Sequence, residues 1–203
     1  MPDLPSPLSR PAPPGSVGLL LLTGGAGRRM GRPKHALPHP AGGSWGGHLV
    51  RVFAAVCPGG PIQILGAPLP DRPELPRLED PRQGPAVALR AWSRAEVPAA
   101  TRWWVVGCDQ VRWDPPRLTA WLERVEAADP GASAWVLARH QGRLQPLGGL
   151  LPAGLRPLLD RGPERSLLAL VDRLPHVILD VEGKEWLDVD TPEARQAFEE
   201  AEE

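Results

Sequence analysis

Apolar positions along the chain follow two alternating rhythms. Strand-like runs stand at residues 17–22, 62–65 and 102–107, each close to glycine or proline, with uninterrupted apolar stretches at Leu19–Leu22 and Trp103–Val106. Runs of this length without regular polar interruption read as strands of a sheet covered on both faces. Between them lie stretches with apolar residues three and four apart. That spacing predicts helices over 47–56, 85–97 and 115–128, with Pro85 in a first turn and Asp114 as a cap. The rhythm then changes. Strand-like runs at 132–140 and 144–151 are separated by Gln141-Gly142-Arg143, which predicts a hairpin. Short helices are expected at 153–160 and 164–174, strands at 176–181 and 186–189, and a last helix over 192–203 after a Thr191 cap. Residues 34–47 and 66–84 read as loops. The alternation predicts an α/β fold: one three-layer, Rossmann-like sandwich domain over 17–203, mostly parallel with an antiparallel element. Residues 1–16 are proline-rich and aperiodic and read as a mobile extension.

The chain has 203 residues, enough for one domain with a substantial core. A net charge of −1 argues against a broad nucleic-acid or membrane surface, and no apolar run near the start is long enough for a signal or a span. A cytoplasmic enzyme is the resulting expectation. Cys57 and Cys108 have no metal spacing and read as buried free thiols. His35 and His39 read as solvent-exposed loop histidines, and the eight tryptophans as core packing. Asparagine and tyrosine are absent, and Lys34 and Lys184 are the only lysines.

Chemistry concentrates where the first strand ends. Leu22-Thr23-Gly24-Gly25-Ala26-Gly27-Arg28-Arg29-Met30-Gly31-Arg32-Pro33-Lys34 passes from an apolar strand through clustered glycines to two arginines and a lysine. Backbone amides without Cβ obstruction can surround phosphate oxygens, and arginine and lysine supply the countercharge. Ligands of α/β sheets bind beyond the carboxyl ends of the strands, so the order fits a triphosphate site. A Walker loop is excluded because no Gly-Lys-Ser or Gly-Lys-Thr occurs. A kinase loop is excluded because His-Arg-Asp is missing. The segment resembles the signature of molybdenum cofactor guanylyltransferases and their MobA-like relatives, Leu-x-Gly-Gly-x-Gly-x-Arg-Met-Gly-x-x-Lys.

The resemblance extends through the chain and implies a nucleotidyltransferase. Cys108-Asp109 after the strand at 102–107 matches the family's Cys-Asp. Asp188-Val189-Asp190-Thr191-Pro192-Glu193 takes the Asp-x-Asp-Thr-Pro-Glu form of the cytidylyl-type relatives, where guanylyl enzymes have Asn-x-Asn. Alternation puts Asp188 and Asp190 on one face of an extended segment. Asp80, ahead of Gly84-Pro85, resembles the aspartate of the base or ribose loop, with Ala88 where the family has a second glycine and Gly66 near the place of an asparagine. Gln145-Pro146-Leu147-Gly148 resembles the acceptor-side Gln-Pro-Leu segment.

The implied reaction moves a nucleoside monophosphate, GMP from GTP in the guanylyl case, onto the phosphate of a pterin cofactor and releases pyrophosphate. Leu22, Thr23, Gly24, Gly25, Gly27, Arg29, Lys34, Asp80 and Asp109 would bind the nucleotide. Arg29, Lys34 and Asp109 would be catalytic. Asp109 with Asp188 or Asp190 would hold Mg²⁺, whose hard-oxygen preference suits carboxylates and phosphates. Gln145, Pro146 and Gly148 would face the acceptor. The resemblance leaves open a cytidylyltransferase or another small-phosphate nucleotidyltransferase, and a nucleotide-binding module without turnover. A monomer or small homo-oligomer, acting without nucleic acid or membrane, completes the expectation.

Overall fold

Strand β1 (Val17–Leu22) feeds two cores at once. Its Leu19 and Leu21 join Trp104 and Val106 of β4 (Arg102–Gly107), whereas Leu20 and Leu22 join Trp103 and Val105 on the opposite face. Alternate side chains of a strand point to opposite faces, so a continuous apolar run requires cover on both. Full burial of each such leucine contributes about 2 kcal/mol. The computed structural model describes residues 16–24, 32–163 and 165–201. The expected extension therefore lies, except for Ser16, outside the described residues.

The remaining strands are β2 (Ile62–Leu65), β3 (Arg77–Leu78), β5 (Trp135–His140), β6 (Arg143–Pro152) and β7 (His176–Val181). They form one seven-stranded sheet in the order β3-β2-β1-β4-β6-β5-β7. Only β6 runs against its neighbours β4 and β5; the other pairings are parallel. Helices α1 (Trp45–Val56) and α3 (Pro115–Ala128) cover one face. Helices α2 (Pro85–Ser93) and α4 (Leu167–Asp172) cover the other. The expected three-layer, mostly parallel α/β sandwich is thus observed. Helix α5 (Pro192–Ala201) adds Phe198 to a separate small core with Leu37, Trp45, Val111 and Val189.

Several boundaries differ from the sequence reading for local reasons. Helix α1 begins earlier, because the Ser44 hydroxyl accepts the Gly47 N–H at 3.0 Å, and Asp71 in turn accepts the Ser44 N–H at 2.9 Å. The 34–47 segment is not a plain loop: Lys34–Ala36 make a 3-10 turn and Pro38 pairs with Ser44. The 153–160 helix is a 3-10 segment with Pro157 inside it, where an α-helical hydrogen bond would lack its donor. The strand expected at 186–189 does not form; Trp186 ends a 3-10 turn that begins at Lys184, and Val189 N–H instead bonds the Asp109 carbonyl. Cys108 is buried as expected, but Cys57 only in part. Among the described residues no helix is long and apolar enough to cross a membrane.

Candidate active site

Parallel pairing brings Leu22 of β1 opposite Gly107 of β4, so both carboxyl ends open on the same edge. Beyond that edge the Cys108 N–H donates to the Leu22 carbonyl at 3.1 Å, and a turn closes from Gln110 N–H to the Gly107 carbonyl at 3.1 Å. Asp109 sits in this turn. Its carbonyl accepts the Val189 N–H at 3.0 Å, and Val189 is fully buried. The inward valine leaves Asp188 and Asp190 facing outward beside Asp109, as the alternation predicted.

Lys34 reaches the same point from the 3-10 turn that follows the glycine-rich segment. Its ammonium lies 3.0 Å from Asp109 Oδ2 and also contacts Asp190 Oδ1, with the lysine side chain 18% exposed. Burial opposes the charge, but Asp109 and then Asp190 outweigh it and hold the Lys34 pKa above its usual value. Asp188 keeps an outer flank in solvent. Protein around its carboxyl group, reinforced by the charges of Asp109 and Asp190, raises its pKa to about 7 against the opposing effects of Lys34 and Gln110. Cys108 is pushed up by burial and by Asp109, so its thiol stays protonated and is no nucleophile.

Three short segments carry this charge cluster, and one small core anchors all three. Leu37 lies three residues after Lys34, Val111 two after Asp109, and Val189 between the other two aspartates; all three pack with Trp45 and Phe198. Thr23 is buried at the entrance to the glycine segment, donating from its N–H to the Leu65 carbonyl at 3.0 Å and from its hydroxyl to the Ala67 carbonyl at 2.8 Å. Asp80 comes to this point as well. A Cβ on Gly24 would collide with the Asp80 carboxylate, whose other oxygen accepts the Arg82 N–H at 2.8 Å. Glycine at 24 lets the Asp80 carboxylate approach this closely. Gly25, Gly27 and Arg29 lie outside the described residues.

The reversed direction of β6 delivers its first half to the same edge of the sheet. Gln145 and Pro146 are half-buried there. Gly148 is the third residue expected on the acceptor side. It is buried at φ +89° with the Trp186 ring 2.6 Å from where a Cβ would stand. Its carbonyl accepts both the Trp104 and the Trp121 indole N–H, at 3.1 and 3.0 Å. Packing accounts for this glycine.

Other residues were misread or passed over. His35 and His39 are buried, because the Pro38–Ser44 pairing folds their segment inward. His35 hydrogen-bonds the Thr23 backbone. The His39 ring stacks on His48 at 3.6 Å, accepts the Ala41 N–H at Nδ1 and faces the Val111 carbonyl with Nε2. Burial first, then His48, lowers its pKa to about 4. An unfolded histidine titrates near 6.5, so on acidification the unfolded chain takes the proton first. His39 therefore contributes stability above pH 6.5 that is lost as pH falls through about 4, on the order of 3 kcal/mol. Urea unfolding at pH 7.5 and 4.5 checks this: wild type should lose about that much more stability on acidification than His39→Gln. Gln110 was passed over. It is 1% exposed, donates to the Leu147 carbonyl at 3.2 Å and hydrogen-bonds Asp188. A lone amide between Cys108-Asp109 and Val111 was the available signal.

Among the described residues no group of three or more His, Cys, Asp or Glu side chains is arranged to hold a metal ion. A Mg²⁺ ion held by one or two carboxylates and substrate phosphates does not need one. Asp109 and Asp190 already share a cation, the Lys34 ammonium. Their hard oxygens fit a divalent ion by the chemistry of the donor set.

A glycine-rich segment at the end of β1 and a lysine bridging two aspartates across the carboxyl edge of a parallel sheet define a nucleotidyltransferase. The MobA-like NTP transferase domain matches residues 19–177, and the chain belongs to that family. It is 31% identical over 195 residues to the Rhodopirellula baltica protein named "Probable molybdenum cofactor guanylyltransferase", covering 89% of this chain and 90% of that one. The crystal structure of molybdopterin-guanine dinucleotide biosynthesis protein A from Archaeoglobus fulgidus superposes with a TM-score of 0.69 at 19% identity, over 91% of this chain and 97% of that one. A manganese complex of a Mycobacterium tuberculosis protein superposes with a TM-score of 0.63 at 23% identity, over 91% and 98%.

Proposed function

We propose that the protein transfers GMP from GTP to the phosphate of molybdopterin and releases pyrophosphate. The observation that carries this is Lys34 poised between Asp109 and Asp190 where the glycine segment leaves the sheet. An acceptor phosphate oxygen attacks the α-phosphorus, a P–O bond forms, and the bond to the pyrophosphate oxygen breaks. No protein nucleophile is used. The chain's part is positioning and charge stabilisation. Amides of Gly24, Gly25 and Gly27 cradle the phosphates. Arg29 and Lys34 neutralise charge gathering on pyrophosphate. Asp80 faces the ribose or base, and Gln145 with Pro146 lines the acceptor side.

Asp109, with Asp188 or Asp190, would hold Mg²⁺, which supplies Lewis-acid stabilisation at the α-phosphate. Both substrates are small and soluble, so the reaction suits a cytoplasmic monomer or small homo-oligomer without nucleic acid or membrane. Pyrophosphate release from GTP and molybdopterin tests the reading. Release with another phosphorylated acceptor alone would overturn it.

The Asp188-Val189-Asp190 sequence favours a cytidylyl alternative, and glycine at 66 and alanine at 88 stand where the resemblance expects an asparagine and a second glycine. Guanine is therefore expected to win over cytosine only narrowly. Competition between GTP and CTP in single turnovers measures it. Discrimination beyond about a thousandfold, roughly 4 kcal/mol, would reveal backbone groups choosing the base.

A further inference from the structure

We propose that Lys34 is a tethered counter-ion: in the nucleotide-free protein its ammonium occupies the carboxylate pair that a divalent cation needs, and it leaves for the triphosphate when the cation enters. This rests on the assignment of Asp109 and Asp190 to cation binding. The geometry points to an exchange because one ammonium serves both carboxylates, 3.0 Å from Asp109 Oδ2 and in contact with Asp190 Oδ1.

One further observation bears on it. Gln110, 1% exposed and bonded to Asp188, leaves its Oε1 without a partner among the described residues. Its amide cannot flip to relieve this, because Nε2 is committed to the Leu147 carbonyl at 3.2 Å. An unpaired amide oxygen on the residue that follows Asp109 and bonds Asp188 is complementary to a hydrated cation rather than to another anion.

Lysine suits the exchange. It is a compact point charge on a flexible four-carbon stem, able to move between carboxylate and phosphate with the backbone fixed. While it stays on the aspartates, only the fraction of molecules with the ammonium displaced is free to bind metal. Apparent affinity falls by that fraction, so a displaced state populated about a tenth of the time weakens binding about tenfold. Cation and triphosphate would consequently bind together and not in sequence, and the empty enzyme would carry little metal.

The test is a Mn²⁺ titration of the full-length, nucleotide-free protein, with free Mn²⁺ read from its electron paramagnetic resonance signal. Lys34→Gln and Lys34→Ala should bind Mn²⁺ about tenfold more tightly than wild type, or better. Lys34→Arg, which keeps the charge, should stay within about threefold of wild type. Adding Asp109→Asn to Lys34→Gln should abolish the gain, which places the ion at these carboxylates. Thermal unfolding of each variant confirms a cooperative fold, and two neutral variants guard against failure of either. The proposal is overturned if neither neutral variant binds Mn²⁺ more tightly, or if the gain survives Asp109→Asn. The titration contains neither nucleotide nor acceptor, so a wrong choice of GTP or molybdopterin leaves its outcome untouched.

Discussion

Replacing Lys34 by alanine is expected to lower the single-turnover rate about a hundredfold at saturating triphosphate while the fold survives. Charge that develops on departing pyrophosphate loses its nearest ammonium, and a contact made chiefly in the transition state is worth about 3 kcal/mol. The stability loss should be far smaller. Lys34 gives up two contacts to carboxylates that keep partial access to water, where screening leaves ion pairs weak. Rapid-quench measurement of pyrophosphate formation, beside thermal unfolding of the same protein, separates the two effects. A wild-type rate would remove Lys34 from phosphate chemistry.

Asp109→Asn should have the larger effect, a loss on the order of a thousandfold, or about 4 kcal/mol of barrier. An amide keeps the shape of the side chain and removes the charge that a hard cation requires. The Val189 N–H bonds the backbone carbonyl of residue 109, so the 187–190 segment should remain docked in the variant. Triphosphate is expected to bind still, weakly, through the glycine segment. A Mg²⁺ titration of activity decides the matter: a variant that reached wild-type rates at high Mg²⁺ would have lost affinity alone, and an unchanged titration would reduce Asp109 to a turn residue.

The central strands were legible because their cause is local. The continuous apolar stretches Leu19–Leu22 and Trp103–Val106 admit no exposed face, and β1 and β4 occupy the expected residues 17–22 and 102–107. Gln141-Gly142-Arg143 likewise marked the β5–β6 hairpin, with Gln141 and Gly142 both at positive φ. Strand β3 was not legible, since two residues carry no period and Arg77-Leu78 is held only by register with Ile64 and Leu65. The burial of His35 and His39 goes with Pro38 meeting Ser44, a local bridge that composition does not show.

Lys34, Asp109, Asp188 and Asp190 were identifiable one by one, and the structure gathers them. Their mutual contact was not readable, because it is made by segments some 75 and 156 residues apart. The packing around Gly148 was not readable either. A glycine beside Gln145-Pro146 suggests room for a ligand, whereas Trp186 fills that room.

The smallest core of the molecule has a consequence for how long the site survives. Leu37, Val111 and Val189 are the anchors of its three charged segments, and Phe198 of the terminal helix closes over them. Proteins open in parts, with sparsely packed peripheral elements opening more often than a central sheet. Detachment of α5 would release all three anchors together while β1 and β4 stay paired. The working lifetime of the catalytic arrangement is then set by the opening of a ten-residue helix, and inactivation by heat should run ahead of the melting of the sheet.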